Sequence, residues 1–266
     1  MAHDSAGQQG SGWELLEHLP FTTDAGIAHR AKIGFVILAS DYTLEHELRQ
    51  VMTIPGVEWF QTRIENSPEI TPDTLVAMRE KIPAALATIL PGDTLDVVAY
   101  GCTSATTHLG EDCVAQQVAK VQPQASVTTP VTAAFAAFRA MNAHRIAVLT
   151  PYRSDVNETV RQYIVDAGFE VPVFGSFNES MDPVVANIDV GSIESAVRRI
   201  TADHDVDMVF VSCTSVRLMQ SIERLEAVVG LPVTSSNHAM AWHCLRLAGV
   251  KGSLPGQGSL FTRALL

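Results

Sequence analysis

Two cysteines occupy matching places in this sequence. Asp96-Val-Val-Ala-Tyr-Gly-Cys102-Thr-Ser104 aligns with Asp207-Met-Val-Phe-Val-Ser-Cys213-Thr-Ser215, 111 residues further on. Each motif follows an apolar run of strand length and precedes residues with helical spacing. In an open parallel α/β sheet, ligands gather beyond the carboxyl ends of the strands, so both thiols are expected to point into a site. The next backbone N–H groups then lie at a helix start, where they can hold an anion, and the helix dipole lowers a thiol from its reference pKa of about 8.5. Thr103, Ser104, Thr214 and Ser215 add hydroxyl donors for a carboxylate. A cysteine at a strand end is often just a small buried apolar group; it is the duplication that argues for chemistry. One thiolate can take a proton from carbon, or add to it, while the other thiol returns a proton on the opposite face. The N–H groups after each Cys would stabilise the developing enediolate. Such an inversion or geometric isomerisation needs no metal, flavin or pyridoxal, so no cofactor is expected.

The elements that must position these thiols alternate along the chain. Runs rich in Val, Ile, Phe and Ala recur at 32–39, 95–100, 125–129, 145–149, 170–174, 207–212 and 232–235, and helix-period segments lie at 44–53, 71–89, 131–142, 155–167, 191–203, 216–229 and 239–248. Apolar strands interleaved with amphipathic helices imply a parallel sheet covered on both faces. Thr71-Pro72-Asp73 reads as a helix start with Pro at the first position, and Gly168 and Gly230 read as helix stops. The cysteine motif is not the only repeat. Lys32-Ile-Gly-Phe-Val-Ile matches Arg145-Ile-Ala-Val-Leu-Thr, and Val127-Thr-Thr129 matches Val233-Thr-Ser235, at nearly the same separation. The expected fold is therefore α/β: two similar doubly wound parallel-sheet halves related by a pseudo-two-fold, with the site in the cleft between them. The halves span 31–142 and 143–266, after a flexible segment over 1–30, and the C-terminal helix is expected to pack back on the first half.

Composition narrows the partners. With 266 residues, 47% hydrophobic and 18% charged, the chain can bury a sizeable core. A net charge of −11 argues against a nucleic-acid or acidic-membrane surface. The apolar runs are too short to span a bilayer, and residues 1–12 lack the pattern of a secretory signal, so a cytoplasmic location is expected. The four cysteines contain no CxxC and no His at zinc-ligand spacing; Cys113 and Cys244, on helical stretches, read as packing residues. The expected partners are a small carboxylate substrate and further copies of the chain in a homo-oligomer, with no nucleic acid and no membrane.

The ordered set Ala39-Ser-Asp-Tyr-Thr-Leu-Glu45, Gly101-Cys-Thr-Ser104, Leu149-Thr-Pro-Tyr-Arg-Ser-Asp-Val-Asn157, Ser212-Cys-Thr-Ser-Val-Arg217 and Pro232-Val-Thr-Ser-Ser-Asn237 resembles the aspartate/glutamate racemase superfamily. Within it, the branch of maleate cis–trans isomerases, arylmalonate decarboxylases and the racemase-like proteins of ectoine utilisation is most similar. The resemblance implies two α/β halves with one cysteine from each. In maleate isomerases the first cysteine adds to the double bond and the second donates the proton, roles that would fall to Cys102 and Cys213. Tyr152 would line the pocket and hydrogen-bond a substrate carboxylate. Arylmalonate decarboxylases keep only the second cysteine, so the presence of both disfavours that chemistry here. One departure stands out: maleate isomerases carry an Asn within Ser-Ser-Asn-Thr-Thr on the first strand–helix loop, and this chain has Asp41 there. An ionised Asp repels a carboxylate in a dry site but suits an ammonium or cyclic amidinium. The substrate is thereby expected to be amino-acid-like or ectoine-like rather than maleate.

His108, His238 and His243 are read as structural histidines rather than partners of a Cys–His dyad. Asn157 and Asn237 suit helix starts as well as ligand contacts, and Arg217 suits an ion pair as well as a carboxylate. No G-x-G-x-x-G or G-x-x-x-x-G-K-[ST] pattern follows any strand. Two other functions remain open: decarboxylation of a malonate-type acid with Cys213 as sole proton donor, and a binding protein built from two halves around a cleft.

Overall fold

A computed structural model describes residues 15–67, 69 and 71–265 of the chain. Eight strands form two sheets: β1 (Ala31–Leu38), β2 (Val57–Ile64), β3 (Val97–Gly101) and β4 (Ser126–Thr128) in the order β2-β1-β3-β4, and β5 (Arg145–Thr150), β6 (Glu170–Ser176), β7 (Met208–Val211) and β8 (Val233–Ser235) in the order β6-β5-β7-β8. All neighbours run parallel. The two sheets share one topology, as the internal repeat requires. Strands β3 and β7 are buried along their whole length, which is why they read as continuous apolar runs. Edge strand β2 went unread in the sequence, because Glu58, Gln61 and Arg63 interrupt its apolar residues and its faces are only part buried.

Helices flank both sheets: α1 (Leu44–Val51), α2 (Pro72–Val76), α3 (Ile82–Leu86), α4 (Thr103–Leu109), α5 (Glu111–Ala119) and α6 (Pro130–Ala140) in the first half, and α7 (Ser154–Asp166), α8 (Asp182–Val185), α9 (Val190–Thr201), α10 (Ile222–Val229) and α11 (Ser236–Leu247) in the second. Thr71 caps α2 through its hydroxyl, with Pro72 in the first turn, and Gly230 closes α10 at φ +71°. The segment expected as one helix over 71–89 is α2, a 3₁₀ turn and α3, since Pro83 cannot continue a helix from the turn before it.

The last helix of each half packs beneath the opposite sheet. Met240, Trp242 and Leu245 of α11, with Phe261 beyond it, are fully buried in one core with Ile33, Phe35 and Ile37 of β1. Phe135 and Phe138 of α6 join the other core, beside Ile146 and Val148 of β5 and Phe210 of β7, and Phe138 meets the Phe210 ring edge-on at 5.6 Å. This exchange fixes the two sheets rigidly about the cleft, because each large buried aromatic side chain contributes on the order of 3–5 kcal/mol against truncation. The tail read as flexible over 1–30 lies outside the described residues as far as residue 14; its remainder exposes Leu15, Leu16, Leu19 and Phe21. No helix among the described residues is long and apolar enough to cross a membrane.

Candidate active site

Cys102 and Cys213 end the equivalent strands β3 and β7 and line one cavity between the halves, together with Thr103, Ser104, Tyr152, Asp182 and Thr214. The cavity is small, about 20 Å³, room for a single water. Its outer wall is the segment after β2, with Asn66, Ser67, Glu69, Leu75 and Met78.

The two thiols are held differently. Cys102 is the N-cap of α4, and its sulfur accepts the Ala105 N–H at 3.4 Å, with the Ser104 hydroxyl 3.7 Å away. No helix begins after Cys213, contrary to the sequence reading: residues 212–218 form an irregular loop, and α10 starts only at Ile222. Partners distant in sequence hold this loop open. Thr43 donates to the Ser215 carbonyl at 2.8 Å, Glu47 accepts the N–H groups of Leu218 and Met219, and Asp182 accepts the Ser215 hydroxyl at 2.6 Å. Cys213 itself lies at φ +149°, a region that side-chain-bearing residues rarely adopt and that costs about 1–3 kcal/mol. Its N–H is fixed by the Ser236 hydroxyl at 3.0 Å, and that hydroxyl bonds Thr103 at 2.8 Å. Thr103 thus ties one cysteine loop to the other across the halves.

Tyr152, fully buried after β5, sets its hydroxyl beside the Cys213 sulfur and Ser104. Asn157 fastens that loop, donating to the Tyr152 carbonyl at 2.7 Å. Among the expected site residues, Thr103, Ser104, Tyr152 and Thr214 line the cavity beside the thiols, whereas Asp41 and Ser215 stand behind it. Asp41 Oδ1 accepts the N–H groups of Thr43 and Leu44 at the start of α1, and Oδ2 is buried without a hydrogen-bond partner. Burial raises the Asp41 carboxyl to about 6, against the pull of those two N–H groups.

The histidines are structural. His108 meets the Ser104 carbonyl at 2.8 Å, His238 lies between Thr234 and the Gln257 carbonyl, and His243 meets Thr128. Burial lowers both His238 and His243 to about 4, so they stay neutral. Arg217 is exposed, Cys244 is buried in the core with Trp242, and Cys113 is half-buried on α5.

Asp182 is the buried carboxylate of the cavity that sequence reasoning missed, along with the wall residues after β2. Its signal was present: Thr71-Pro72 and Asp182-Pro183 are separated by 111 residues, the same interval as the two cysteines. Extending the repeat to the loops after β2 and β6 would have placed Asp182 at the cleft. Glu69 and Met181, from the same two loops, pair as an antiparallel bridge across it.

The electrostatics reverse one expectation. Burial pushes the Cys102 thiol up to about 12, outweighing the Ala105 N–H and the Ser104 hydroxyl, and the carboxylates of Asp182 and Asp41 push the same way. Cys213 is raised further by burial and by Asp182, against the Tyr152 hydroxyl and the Ser215 N–H. The helix-start donor exists at Cys102, but desolvation exceeds it. Both groups are therefore thiols in the resting, closed cavity. Iodoacetamide labelling of Cys102 and Cys213, read by peptide mass spectrometry, is expected to be slow at pH 7 and to accelerate about tenfold per pH unit to beyond pH 10. A plateau below pH 8 would reveal a resting thiolate instead.

Comparison with known proteins agrees with this geometry. The family model for arylmalonate decarboxylase matches residues 63–261. A maleate isomerase of Nocardia farcinica is 27% identical over 241 residues, covering 86% of this chain and 94% of the relative. The arylmalonate decarboxylase of Bordetella bronchiseptica is 31% identical over 136 residues, half of this chain and 57% of that one. Among solved structures, a cysteine-to-serine mutant of the Nocardia farcinica maleate cis–trans isomerase, with a covalently bound succinylcysteine intermediate, superposes with a TM-score of 0.78 at 26% identity, covering 87% of this chain and 98% of that one. Fold, duplicated thiols and family model coincide, and the chain belongs to the arylmalonate decarboxylase family, in the branch that also holds the maleate isomerases.

Proposed function

We propose that the protein is a cofactor-independent isomerase, a racemase or cis–trans isomerase, acting on a small carboxylic acid of amino-acid-like or ectoine-like type. The observation that carries this is the presence of Cys102 and Cys213, from equivalent strands, in the wall of one cavity. Cys102 acts as base or nucleophile and Cys213 returns the proton from the other face, with Tyr152 donating beside Cys213. For inversion, Cys102, once it has lost its proton, takes as thiolate the proton from the carbon next to the carboxylate. The Cys213 thiol delivers its own on the opposite face, so that the two sulfurs exchange protonation states. For geometric isomerisation, the Cys102 thiolate, formed once its proton is lost, adds to one carbon of the double bond while the Cys213 thiol protonates the other. The new single bond rotates, the Cys213 thiolate takes a proton back, and elimination restores the double bond and the Cys102 thiolate. Ser104 and Thr214 supply hydroxyls for the substrate carboxylate, and Asp41, Thr103 and Ser215 support the loops that present them. The trapped succinylcysteine of the Nocardia relative supports a cysteine as nucleophile. On this reading the enzyme works in the cytoplasm as a homo-oligomer whose two halves, 31–142 and 143–266, share the site.

A second reading, decarboxylation of a malonate-type acid with Cys213 as sole proton donor, draws on the family model itself. Proton NMR in deuterated water with maleate, aspartate, ectoine and hydroxyectoine tests the first reading. Deuterium incorporated at a carbon centre, or signals of the geometric isomer, are expected for at least one of them. Stable spectra for all four, with carbon dioxide released from an arylmalonate, would establish the second.

A further inference from the structure

Asp182 is 3% exposed and lines the cavity with both thiols. Its Oδ1 accepts the Ser215 hydroxyl at 2.6 Å and its Oδ2 accepts the Ser40 hydroxyl. The Asn66 amide donates to Ser40 at 2.8 Å, which leaves the Ser40 hydrogen committed to Asp182. Each oxygen of Asp182 thus accepts one hydroxyl hydrogen. Neither donor carries charge, and no Lys, Arg or His lines the cavity among the described residues. Arg63, at the end of β2, is spent on the carbonyls of Leu38, Ala39 and Asp41 and on the Glu45 carboxylate. Glu69 at the rim adds a further negative charge. A buried carboxylate facing a cavity without a counter-ion is unfavourable unless a cation arrives.

We infer that Asp182 sets the charge of the substrate: its carboxylate receives a cationic nitrogen, an ammonium or amidinium, carried by the carboxylic acid, and it repels a second carboxylate. The inference rests on reading this cavity as the reaction site, and it moves the cation-receiving role from Asp41, which does not line the cavity, to Asp182, which does. The hydroxyls of Ser104, Tyr152 and Thr214 remain for the single carboxylate of the substrate. Binding and activation are then coupled. Asp182 is among the charges that keep both sulfurs protonated, and a cation bound against it removes that opposition as the substrate enters.

Calorimetric titration of the wild type and of Asp182→Asn tests this with five probes: ectoine and L-aspartate, which carry a cation; succinate, which is L-aspartate without its ammonium; maleate; and β-alanine, an ammonium acid with one carboxylate. In the wild type, at least one cation-bearing acid is expected to bind tenfold or more tighter than succinate and maleate. In Asp182→Asn that acid should lose tenfold or more, and the dicarboxylates should gain. The inference is overturned if the dicarboxylates bind the wild type as tightly as every cation-bearing acid, if no cation-bearing acid binds, or if the order is the same in Asp182→Asn. The wild-type order alone decides the matter should the variant fold poorly. Cys102→Ser should keep the order, since binding does not need the thiol. Turnover that persists in Cys102→Ser while the order holds would remove the two-thiol reading and leave Asp182 standing.

Discussion

Replacing either Cys102 or Cys213 by Ser is expected to lower deuterium incorporation or isomerisation by about 10²–10⁴-fold, the usual contribution of a positioned proton-transfer group. An alcohol is far more weakly acidic than a thiol, and burial in this cavity raises even the thiol of Cys102 to about 12. A serine there would stay neutral at any working pH. The two losses should not multiply: the double variant is expected to be about as slow as the slower single variant, because the thiols act on one event from opposite sides. This separates the proposed mechanism from its rival within one experiment. A decarboxylase relying on Cys213 keeps near-full turnover in Cys102→Ser and loses it only in Cys213→Ser. A binding protein shows neither loss, and its ligand affinity survives alkylation of both thiols. Circular dichroism and melting of each variant confirm the fold, and the sulfur-to-oxygen exchange is small enough to keep the Ser236 bond to the residue 213 N–H.

The features that could be read from sequence were those that a local pattern specifies. Strands β1, β3, β5 and β7 are apolar apart from Lys32 and Arg145 near the starts of β1 and β5 and small or polar residues such as Thr150, and the two Cys-Thr-Ser motifs mark the ends of β3 and β7. The repeat predicted two sheets with one topology, and both have it. What was missed depends on contacts between distant segments. Strand β2 is an edge with polar residues on it, and its pairing with β1 is visible only once the sheet exists. The loop after Cys213 carries helix-compatible residues, yet Thr43 and Glu47, about 170 residues earlier, take its backbone groups and prevent the helix. Asp41 has the chemistry for a cation, but its Oδ1 takes the Thr43 and Leu44 N–H groups at the start of α1 and it stands outside the lining of the cavity, which no local pattern shows. Asp182 had no local motif at all beyond Asp-Pro; only the interval to Thr71-Pro72 connects it with the duplicated site. The thiol pKa values were misjudged for a related reason. A dipole at a helix start can be inferred from sequence, whereas the depth of burial that overrides it is a property of the assembled halves.

Glu47→Ala is expected to be the most destabilising single change outside the aromatic core. Glu47 sits on α1, 3% exposed, and accepts the Leu218 and Met219 N–H groups at 2.7 Å each and the Asn237 amide at 2.7 Å. The same Asn237 amide donates to the Thr214 carbonyl at 2.8 Å, so this carboxylate joins α1 of the first half to the Cys213 loop of the second. Removing it orphans three buried N–H groups at about 1–3 kcal/mol each, roughly 3–9 kcal/mol together, or a fall in Tm of roughly 6–36 °C. Turnover should fall as well, because Thr214 adjoins the Cys213 thiol. The pH dependence carries a distinct signature. Burial outweighs the three donors and raises Glu47 from 4.5 to about 7, so the folded protein holds this proton more tightly than the unfolded chain. Its contribution favours folding fully below about pH 4.5 and is lost as pH rises through about 7, an effect on the order of 3 kcal/mol. Asp41, raised from 3.8 to about 6, acts in the same direction at slightly lower pH. Calorimetric melting of the wild type should therefore show Tm declining between pH 5 and pH 7.5. Glu47→Gln keeps an acceptor for the two N–H groups but cannot titrate, so it should melt lower at pH 5 and show a flatter decline. An equally steep decline in Glu47→Gln would mean that Glu47 is ionised throughout this range, and that the junction between the halves is a permanently charged one.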